Sequence, residues 1–480
     1  MTSSFLHGVQ VIDVDDGNQT ISVASTSVIG IIGTAPNADP TVFPLNTPVL
    51  CAGSQSMAAS LTALTTAQDN GTLPDAIDSI FQQSLAALVI VRVDEGTDSP
   101  TTLANVIGGI NSQTGQYEGL SAFLAAEHIT GVKPRIIIAP GFTHQLVTGA
   151  LTNIVAATPG TLYPDGTYDL VITDVNGGLG TGGAATVTFT GGTVSAVTIT
   201  DEGQNYTNPT ATLPGNVTTT GVAAAFTLNI GNTSNAVIAS LASILTSLRA
   251  VAIQDGPNTT DSAALAVAAG SGNQRVYLVD PMVLKTDLNG NTVSSYMSAI
   301  TAGLIAQKDN AVGFWASPSN TQINGVIGTA RPIPFSLGDS TCSANVLNAG
   351  NVATVVRSNG FRLWGNRTLS SDSKWQFLCV VRTADIIADS LQAAHLDAVD
   401  QGITKNYVSD VQEDVNAFLR GLVTEGAILG GECWVDPDLN PASAIANGQV
   451  SWDFDFTPVY PAEDLTFRMH LDNNYITSIF

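Results

Sequence analysis

The glycines in Gly178-x-Gly180-x-x-Gly183 have the spacing of a dinucleotide-binding loop. That chemistry needs a helix directly after the glycines, so that the helix N-terminus faces the pyrophosphate. The sequence that follows, AATVTFT (184–190), is typical of a strand. We therefore interpret these glycines as a turn and predict no nucleotide site.

The histidines and cysteines lack the spacing of a metal or redox site. The histidines are at positions 7, 128, 144, 395 and 470, and the cysteines are at positions 51, 342, 379 and 433. Zinc sites and redox pairs normally place two such residues within a few positions of each other. No Gly-Lys pair, HExxH or GxSxG occurs either. We predict free buried thiols, no metal and no cofactor.

Paired carboxylates are the other groups that could perform acid–base chemistry. Asp13, Asp15 and Asp16 form one acidic run, and Asp453 and Asp455 form a second. Both groups lie in segments that alternate apolar and polar residues. We interpret them as the solvated faces of strands.

Two alternative functions stay open on the residues alone. An α/β hydrolase-like enzyme with a β accessory domain would need Asp255, His144 and Ser317 to converge, and no spacing unites them. An adhesin or surface-layer protein would fit the Thr/Gly-rich acidic segments but requires export. The first sixteen residues have neither a basic start nor an apolar core, so we expect no cleaved secretion signal.

Composition limits the kinds of partner. The chain has 480 residues, a formal net charge of −24 and only 12% charged residues, about half the usual share. So few cations argue against a nucleic-acid partner. With 44% hydrophobic residues, global disorder is excluded. No uncharged apolar stretch reaches the length of a membrane span, so we expect no membrane binding by the subunit.

Strands and helices alternate outside the middle of the chain, which predicts an α/β architecture with mainly parallel strands. Predicted strands are 27–36, 88–93, 135–141, 251–255 and 275–281. Predicted helices are 55–69, 74–83, 117–130 and 234–250. Residues 156–232 carry no Lys or Arg and predict an inserted all-β domain, with a Gly-Gly hairpin at 186–200 and a strand at 222–231 that could close the sheet.

The C-terminal third predicts mixed structure again. Helical spacing marks 385–400 and 407–423, and period-two alternation marks strands at 450–456 and 465–471. Residues 9–14 also alternate, so both termini are predicted strands. Asp410, Glu413 and Asp414 lie opposite the apolar stripe of the second helix, with Arg420 a turn and a half later, either as a solvated face or as a charged docking surface. Lys405 precedes this helix and is a further cation of the same region.

Several strings resemble the contractile tail sheath protein of myovirus-type bacteriophages and are similar to the sheaths of contractile bacteriocins. The longest are GFWASPSNTQINGVIGTARPI (313–333), NGFRLWGNRTLSSDSKWQFLCVVRTADII (359–387) and FDFTPVYPAEDLTFRMHL (454–471). Shorter ones are SVIGIIGTAP (27–36) and GVKPRIIIAPGFTH (131–144). The resemblance spans about residues 5–156 and 233–480, so only the β insert departs from it.

The resemblance implies a non-enzymatic structural subunit of a virion tail. Such subunits form hexameric rings that stack helically around a tail tube and contract without nucleotide hydrolysis, driving the tube through the host envelope for genome ejection. Implied partners are other copies, the tail tube protein, and baseplate and tail terminator proteins, with assembly in the host cytoplasm. A headless bacteriocin particle is the alternative within the family.

The implied fold class is mixed α/β and multi-domain. Its parts are an N-terminal arm (1–20), a discontinuous inner, tube-proximal domain (21–100 with 345–463), an outer α/β domain (101–155 with 233–344), the inserted all-β domain (156–232) and a C-terminal arm (464–480). Arms of neighbouring copies add strands to open sheet edges. The predicted exchange residues are Val9, Val11, Ile12, Val14, Leu465, Phe467, Met469 and Leu471. The candidate tube-facing residues are the five charged residues of the 407–423 helix region named above.

Overall fold

The computed structural model describes residues 21–62, 71–145, 147–175, 178, 180–233, 235–286, 290–473 and 475. The strands within these residues are β1 (Ile29–Thr34), β2 (Val49–Ala52), β3 (Ala87–Val93), β4 (Gly109–Ile110), β5 (Tyr117–Glu118), β6 (Ile136–Ile138), β7 (Val147–Thr158), β8 (Gly166–Asp174), β9 (Thr181–Thr190), β10 (Thr193–Gln204), β11 (Pro209–Thr212), β12 (Ala225–Thr233), β13 (Val251–Asp255), β14 (Val276–Val279), β15 (Val283–Thr286), β16 (Thr292–Ser295), β17 (Val326–Thr329), β18 (Val352–Arg357), β19 (Phe361–Trp364), β20 (Ile428–Trp434) and β21 (Asp453–Pro458). The α-helices are α1 (Gln55–Ala59), α2 (Leu73–Phe81), α3 (Ser99–Ile107), α4 (Ala126–Thr130), α5 (Ala236–Leu248), α6 (Asp261–Ala269), α7 (Met297–Ala311), α8 (Ser343–Ala349), α9 (Leu378–Ala394), α10 (Lys405–Glu425) and α11 (Ala442–Ala446). The 3₁₀ segments are η1 (Gly119–Ala125), η2 (Ser373–Trp375) and η3 (Leu396–Ala398).

An eight-stranded sheet forms the centre of the fold, in the order β19-β18-β14-β13-β6-β1-β3-β2. The six strands from β18 to β3 are parallel, and the edge strands β2 and β19 are antiparallel to their neighbours. This is the mainly parallel α/β arrangement that the alternation of elements predicts.

Helices cover both faces of this sheet because its strands are apolar on both sides. The six residues of β1 are all buried. Ile29 and Ile31 pack with α2 and α7 on one face, while Ile32 packs with η1 and α5 on the other. Two apolar cores therefore enclose the sheet.

The helices α9 and α10 and the two-stranded sheet of β20 and β21 form a smaller C-terminal unit. One stripe of α10, with Val415, Phe418 and Leu422, is buried against Ile387 of α9 and Ile428 of β20. This confirms the amphipathic helix expected at 407–423.

Carboxylates of α9 join this unit to the large sheet. Asp389 forms ion pairs with Arg135 and Arg249, and Asp385 pairs with Arg275. The three arginines come just before β6, β13 and β14. The N-terminal edge of the parallel strands is therefore fastened to one face of α9 by charge-assisted hydrogen bonds.

All described elements between residues 147 and 233 are strands. A four-stranded sheet has the order β10-β9-β8-β11, and β7 pairs with β12. The predicted Gly-Gly hairpin is present, because Gly191 and Gly192 adopt φ values of +63° and +79° between β9 and β10. The strand expected at 222–231 does not close that sheet but pairs with β7, since the two run side by side where the insert leaves the main sheet.

The helix predicted over 117–130 is only partly correct. Its first half is β5 and the 3₁₀ segment η1, and α4 alone is α-helical. Gly119 has a φ of +58°, and a Cβ there would meet the carbonyl of Val106 at 2.5 Å. This close backbone approach interrupts the helix, and hydrophobic spacing gives no sign of it.

Two other helix predictions have different limits. The helix predicted at 385–400 begins at Leu378 and ends at Ala394. Its first turns are buried all round, so the sequence there has no amphipathic period that would predict the earlier start. Of the helix predicted at 55–69, α1 covers Gln55–Ala59 and residues 63–70 lie outside the described part.

The large sheet takes strands from both ranges that the sequence analysis assigns to separate inner and outer domains. β1, β2, β3, β18 and β19 come from the inner range, and β6, β13 and β14 come from the outer range. The boundaries near residues 100 and 345 therefore do not coincide with a break in hydrogen bonding. The position of each part relative to a tube stays a prediction.

Candidate assembly surface

The C-terminal segment, residues 464–473, belongs to no helix or strand. The strand predicted at 465–471 is therefore absent from the isolated chain. All residues of the segment are exposed, and among them Leu465, Phe467, Met469 and Leu471 are 71%, 91%, 95% and 94% exposed. A strand requires a neighbour to accept its backbone hydrogen bonds, and none of the described residues supplies one to this segment. Four exposed apolar side chains at alternate positions make this segment the candidate assembly surface.

The chain is tethered just before this segment. Arg367 donates from Nε and Nη2 to the two carboxylate oxygens of Glu463, at 2.8 and 2.5 Å. The ring of Tyr460 lies edge-on to Phe377, with 6.2 Å between centroids. The C-terminal segment therefore leaves the molecule beside the first turn of α9.

One edge of the β20–β21 sheet is already occupied. The Asn416 side chain of α10 accepts from the backbone N–H of Cys433 at 2.8 Å and donates to its carbonyl at 3.0 Å. Gln412 donates to the same carbonyl at 3.1 Å. These amides stand where a strand next to β20 would make its hydrogen bonds.

An apolar cavity of about 350 Å³ lies between this small sheet, the first half of α10 and the end of α9. Its walls include Leu391, Val399, Val411, Trp452 and Phe454. Val399 is 63% exposed and Phe454 is 40% exposed, so the cavity opens to the surface beside β21.

The five candidate tube-facing residues all lie on or at the start of α10. Lys405, Asp410, Glu413 and Arg420 are exposed. Arg420 donates to Glu413 at 2.5 Å in a pair with both side chains more than 60% exposed. Asp414 is half-buried, and its pKa is raised by burial and by the neighbouring carboxylates of Asp410 and Glu413. The helix thus presents a solvated, mostly acidic face.

The N-terminal exchange residues Val9, Val11, Ile12 and Val14, and the acidic run at 13–16, lie outside the described residues. The second acidic pair, Asp453 and Asp455 of β21, alternates with two cavity residues, Phe454 of the same strand and Trp452 directly before it. The two aspartates therefore lie on the face of this strand that points away from the cavity.

The three residues that a hydrolase would need do not form a catalytic group. The Asp255 carboxylate is buried and accepts from Ser298 and Thr143. The His144 ring lies 5.4 Å from that of Tyr296, and burial lowers its pKa. Within the described residues, no hydrogen bond joins His144 to Asp255 or to Ser317.

The glycine motif is a turn. The Asp174 carboxylate accepts from the backbone N–H groups of Gly180, Thr207 and Asn208, and these bonds lower its pKa against the opposing effect of desolvation. The strand β9 follows instead of a helix, so no helix N-terminus faces the loop.

Three of the four cysteines are buried and Cys342 is half-buried, and all four are free. Among the residues that the structure describes, no three His, Cys, Asp or Glu side chains are grouped as metal ligands. No helix in the described part is both long and apolar enough to span a bilayer.

Comparison with known proteins gives family matches over most of the second half of the chain. Residues 200–369 match the family model of the phage tail sheath protein central domain, and residues 370–472 match that of the phage tail sheath C-terminal domain. A prophage major tail sheath protein of Pseudomonas aeruginosa is 35% identical over 478 residues, which is 99% of both chains. The tail sheath protein of Escherichia phage P2 is 31% identical over 484 residues, covering 99% of this chain and 98% of that protein.

Solved structures show the same fold. The helical sheath of the anti-feeding prophage in its contracted state has a TM-score of 0.58 at 16% identity, over 98% of this chain and 100% of that chain. The sheath of an extracellular contractile injection system, also contracted, has a TM-score of 0.57 at 14% identity, over 98% of this chain and 99% of that chain. Together with the full-length sequence relatives, these matches show that the chain belongs to the phage tail sheath protein family, whose members are structural components of contractile tails.

Proposed function

We propose that copies of this sheath subunit form hexameric rings, stack helically around a tail tube, and are linked by strands donated from their N- and C-terminal arms. The observation that carries the proposal is the C-terminal segment. Its sequence has the alternation of a strand, its four apolar side chains are exposed, and it pairs with no strand among the residues that the structure describes. A second copy with an open sheet edge supplies that partner.

The strength of such a link follows from its hydrogen bonds. About five backbone bonds at a net ~1 kcal/mol each give about 5 kcal/mol for one arm, before the cost of ordering it. Donor and acceptor surfaces differ, so the contact is heterologous and builds rings or helices instead of closed dimers. Links of this kind hold neighbours together while whole subunits rotate.

Contraction then uses the free-energy difference between two packings of the same subunit, without nucleotide hydrolysis. The low charge density favours this, because polar surfaces with few ions can repack without burying unpaired charges. The work drives the tube through the host envelope. In this proposal the subunit is made in the host cytoplasm, acts in the virion tail, and contacts tube, baseplate and terminator proteins.

The predicted domain arrangement places residues 21–100 and 345–463 near the tube and residues 156–232 on the outside. Support for an outward insert comes from its ends, because Val147 of β7 pairs directly with Thr233 of β12. An insert whose two ends are adjacent occupies little of its host's surface.

The α10 charges are proposed to face the tube. Exposed ion pairs contribute only about 0–1 kcal/mol each, which suits a contact that must release during contraction. Reversing Lys405 and Arg420 to Glu should reduce assembly on purified tubes but leave tube-free polymers unchanged. Exposed Lys374 reversed to Glu is the matched control, and equal tube assembly by both variants would contradict the assignment.

Deletion of residues 464–480 tests the function directly. We expect a soluble, folded subunit that forms no sheaths in electron micrographs, because Leu465, Phe467, Met469 and Leu471 are exposed and belong to none of the apolar cores among the described residues. Deletion of residues 1–18 should have the same effect. Normal polymers from both truncated proteins would refute strand exchange.

A further inference from the structure

We propose that helix α9 carries the tension between the two arms of each subunit. Residues 21–28, which we call the strap, fasten the root of the N-terminal arm to residues 382–390 of α9, and the root of the C-terminal arm is fastened at the start of the same helix. This rests on the proposed function, since it names the element that transmits force from one donated arm to the other. The large sheet and the insert lie outside the path.

The strap has no regular secondary structure and is held by hydrogen bonds between its backbone and side chains of α9. Ser390 Oγ accepts from the Ala24 N–H at 2.9 Å. Arg382 Nη2 donates to the Thr26 carbonyl at 3.1 Å. Both α9 side chains are buried. The chain is therefore bonded directly to α9 at two places before it enters β1.

The first residue of the strap is an apolar plug. Ile21 is 9% exposed and belongs to the apolar core of the C-terminal unit, together with Ile386 and Ile387 of α9. Val23, two residues later, is 38% exposed. A pull on the preceding arm acts on contacts in chain order. It must withdraw Ile21 from this core before it loads the two hydrogen bonds, and it reaches β1 only after these have failed.

A third bond connects the strap to α9 through an intermediate residue. Arg135 Nε donates to the Ser25 carbonyl at 3.2 Å. The guanidinium of Arg135 is also paired with the buried carboxylate of Asp389 on α9. Separating a buried ion pair leaves two uncompensated charges, so this link resists displacement of the strap.

The root of the C-terminal arm is held at the other end of α9. The Tyr460 ring packs edge-on against Phe377, the N-cap residue of the helix. Glu463 is paired with Arg367, whose backbone forms a bridge with that of Phe377. At about 1.5 Å per residue, the rise from Phe377 to Ser390 is about 20 Å. One helix thus spans the distance between the two roots.

The helix is suited to an axial load. Its 17 residues contain neither Gly nor Pro, so no residue interrupts the ladder of backbone hydrogen bonds. Buried ion pairs clamp it from the sides, because Arg382 pairs with Asp309 of α7 at 2.8 Å and Asp385 pairs with Arg275 at 2.8 Å. Sliding or unwinding of α9 would separate these pairs, which opposes both movements.

Pulling single full-length subunits by their two ends tests the load path. Peptide tags fused to the chain ends attach the handles of an optical trap. We expect the first two steps to be short, with a gain of about 3 nm when the strap leaves α9 and a smaller gain from residues 459–463. Residues 147–233 would release about 30 nm. A first step of that size or larger means that the insert or the large sheet bears the load, and it would overturn the proposal.

Substitutions in the strap identify its step. Ile21→Ala removes the buried plug, and Val23→Ala is the matched control in the same segment. At constant force we expect I21A to shorten the lifetime of the strap by about tenfold or more and V23A to change it by less than about twofold. Ser390→Ala removes the acceptor for Ala24 and should shorten the same lifetime. Equal lifetimes for I21A and V23A would contradict the anchor; if circular dichroism shows I21A unfolded, S390A decides.

The C-terminal root has its own test. Arg367→Gln removes the hold on Glu463, and Arg357→Gln on the exposed β18–β19 hairpin makes the same change in net charge. R367Q should shorten the lifetime of the second short step, and R357Q should leave it unchanged. If neither variant alters that step, α9 does not hold this arm and the load path is refuted.

The two proposals fail differently. If the insert or the large sheet opens first while the 464–480 deletion abolishes sheaths, the arms link copies but α9 is not the load path. If both truncated proteins polymerise normally, strand exchange is refuted, and the load path falls with it because the arms then carry no tension.

Discussion

Replacing Asp389 by Asn should destabilise the subunit by about 3–5 kcal/mol, the usual result of removing one partner from a buried ion pair. The Asp389 side chain is 6% exposed and that of Arg135 is 7% exposed, so water cannot replace the lost charge. Arg249 donates to the same carboxylate at 2.8 Å, and the Lys133 ammonium lies 3.3 Å from it. The variant would leave three cations around a neutral amide.

Lys133 and Arg249 are 18% and 34% exposed, so solvent screens part of their repulsion. The largest share of the cost therefore comes from Arg135, whose pKa is lowered by burial. Since Asp389 holds α9 against the start of β6 and β13, its loss should weaken the junction between the C-terminal unit and the large sheet.

Urea denaturation followed by tryptophan fluorescence measures this effect, with Asp410→Asn as control. Asp410 lies on the exposed face of α10, so its variant makes the same change in net charge without breaking a buried contact. We expect D410N within about 0.5 kcal/mol of the unchanged protein. If D389N differs from D410N by less than about 1 kcal/mol, the argument that this carboxylate fastens the junction is wrong.

Three further predictions concern the core and the insert. Burial raises the pKa of Asp255 to about 6, against the opposing bonds from Ser298. The folded state therefore keeps a proton that the unfolded chain loses near pH 4, so stability should fall as pH rises from 4 to 6, by about 3 kcal/mol. Asp255→Asn should abolish that slope in urea titrations, and an unchanged slope would count against the assignment. Tyr277→Phe removes the buried bond, 2.6 Å long, to the Gly365 carbonyl and should cost about 1–2 kcal/mol in the same assay; no change would mean that this carbonyl finds another donor. Replacing residues 150–231 by a short Gly-Ser turn should leave one cooperative melting transition, because Ala150 and Gly231 are paired neighbours; loss of that transition would show that the insert supports its host.

Much of the fold follows from local patterns. Buried parallel strands such as β1 and β3 are continuous apolar runs, which few other structures accommodate. The amphipathic stripe of α10 and the Gly-Gly turn before β10 are also local signals. By contrast, η1 depends on how closely Gly119 approaches Val106, residues that share no periodic pattern. The early start of α9 at Leu378 was missed because a helix buried all round has no amphipathic stripe.

The alternation at 465–471 and the family resemblance together predict an assembly segment, and that role stays a prediction. The sequence could not reveal its absence from any sheet in one copy, because a strand is completed by hydrogen bonds to a neighbour. Nothing in the sequence indicates that the Asn416 side chain bonds the backbone of β20, since an amide on a helix is usually solvated. Only folding brings it to Cys433.

Taken alone, the sequence determined the family, the alternation of strands and helices, and the amphipathic faces, because these depend on residues a few positions apart. The tertiary structure decided that a single sheet joins the first and last thirds of the chain, that α9 is held by buried ion pairs, and that side-chain amides of α10 cover the outer edge of β20. Each of these depends on which groups distant in sequence satisfy one another's hydrogen bonds and charges, and local spacing contains no record of that pairing.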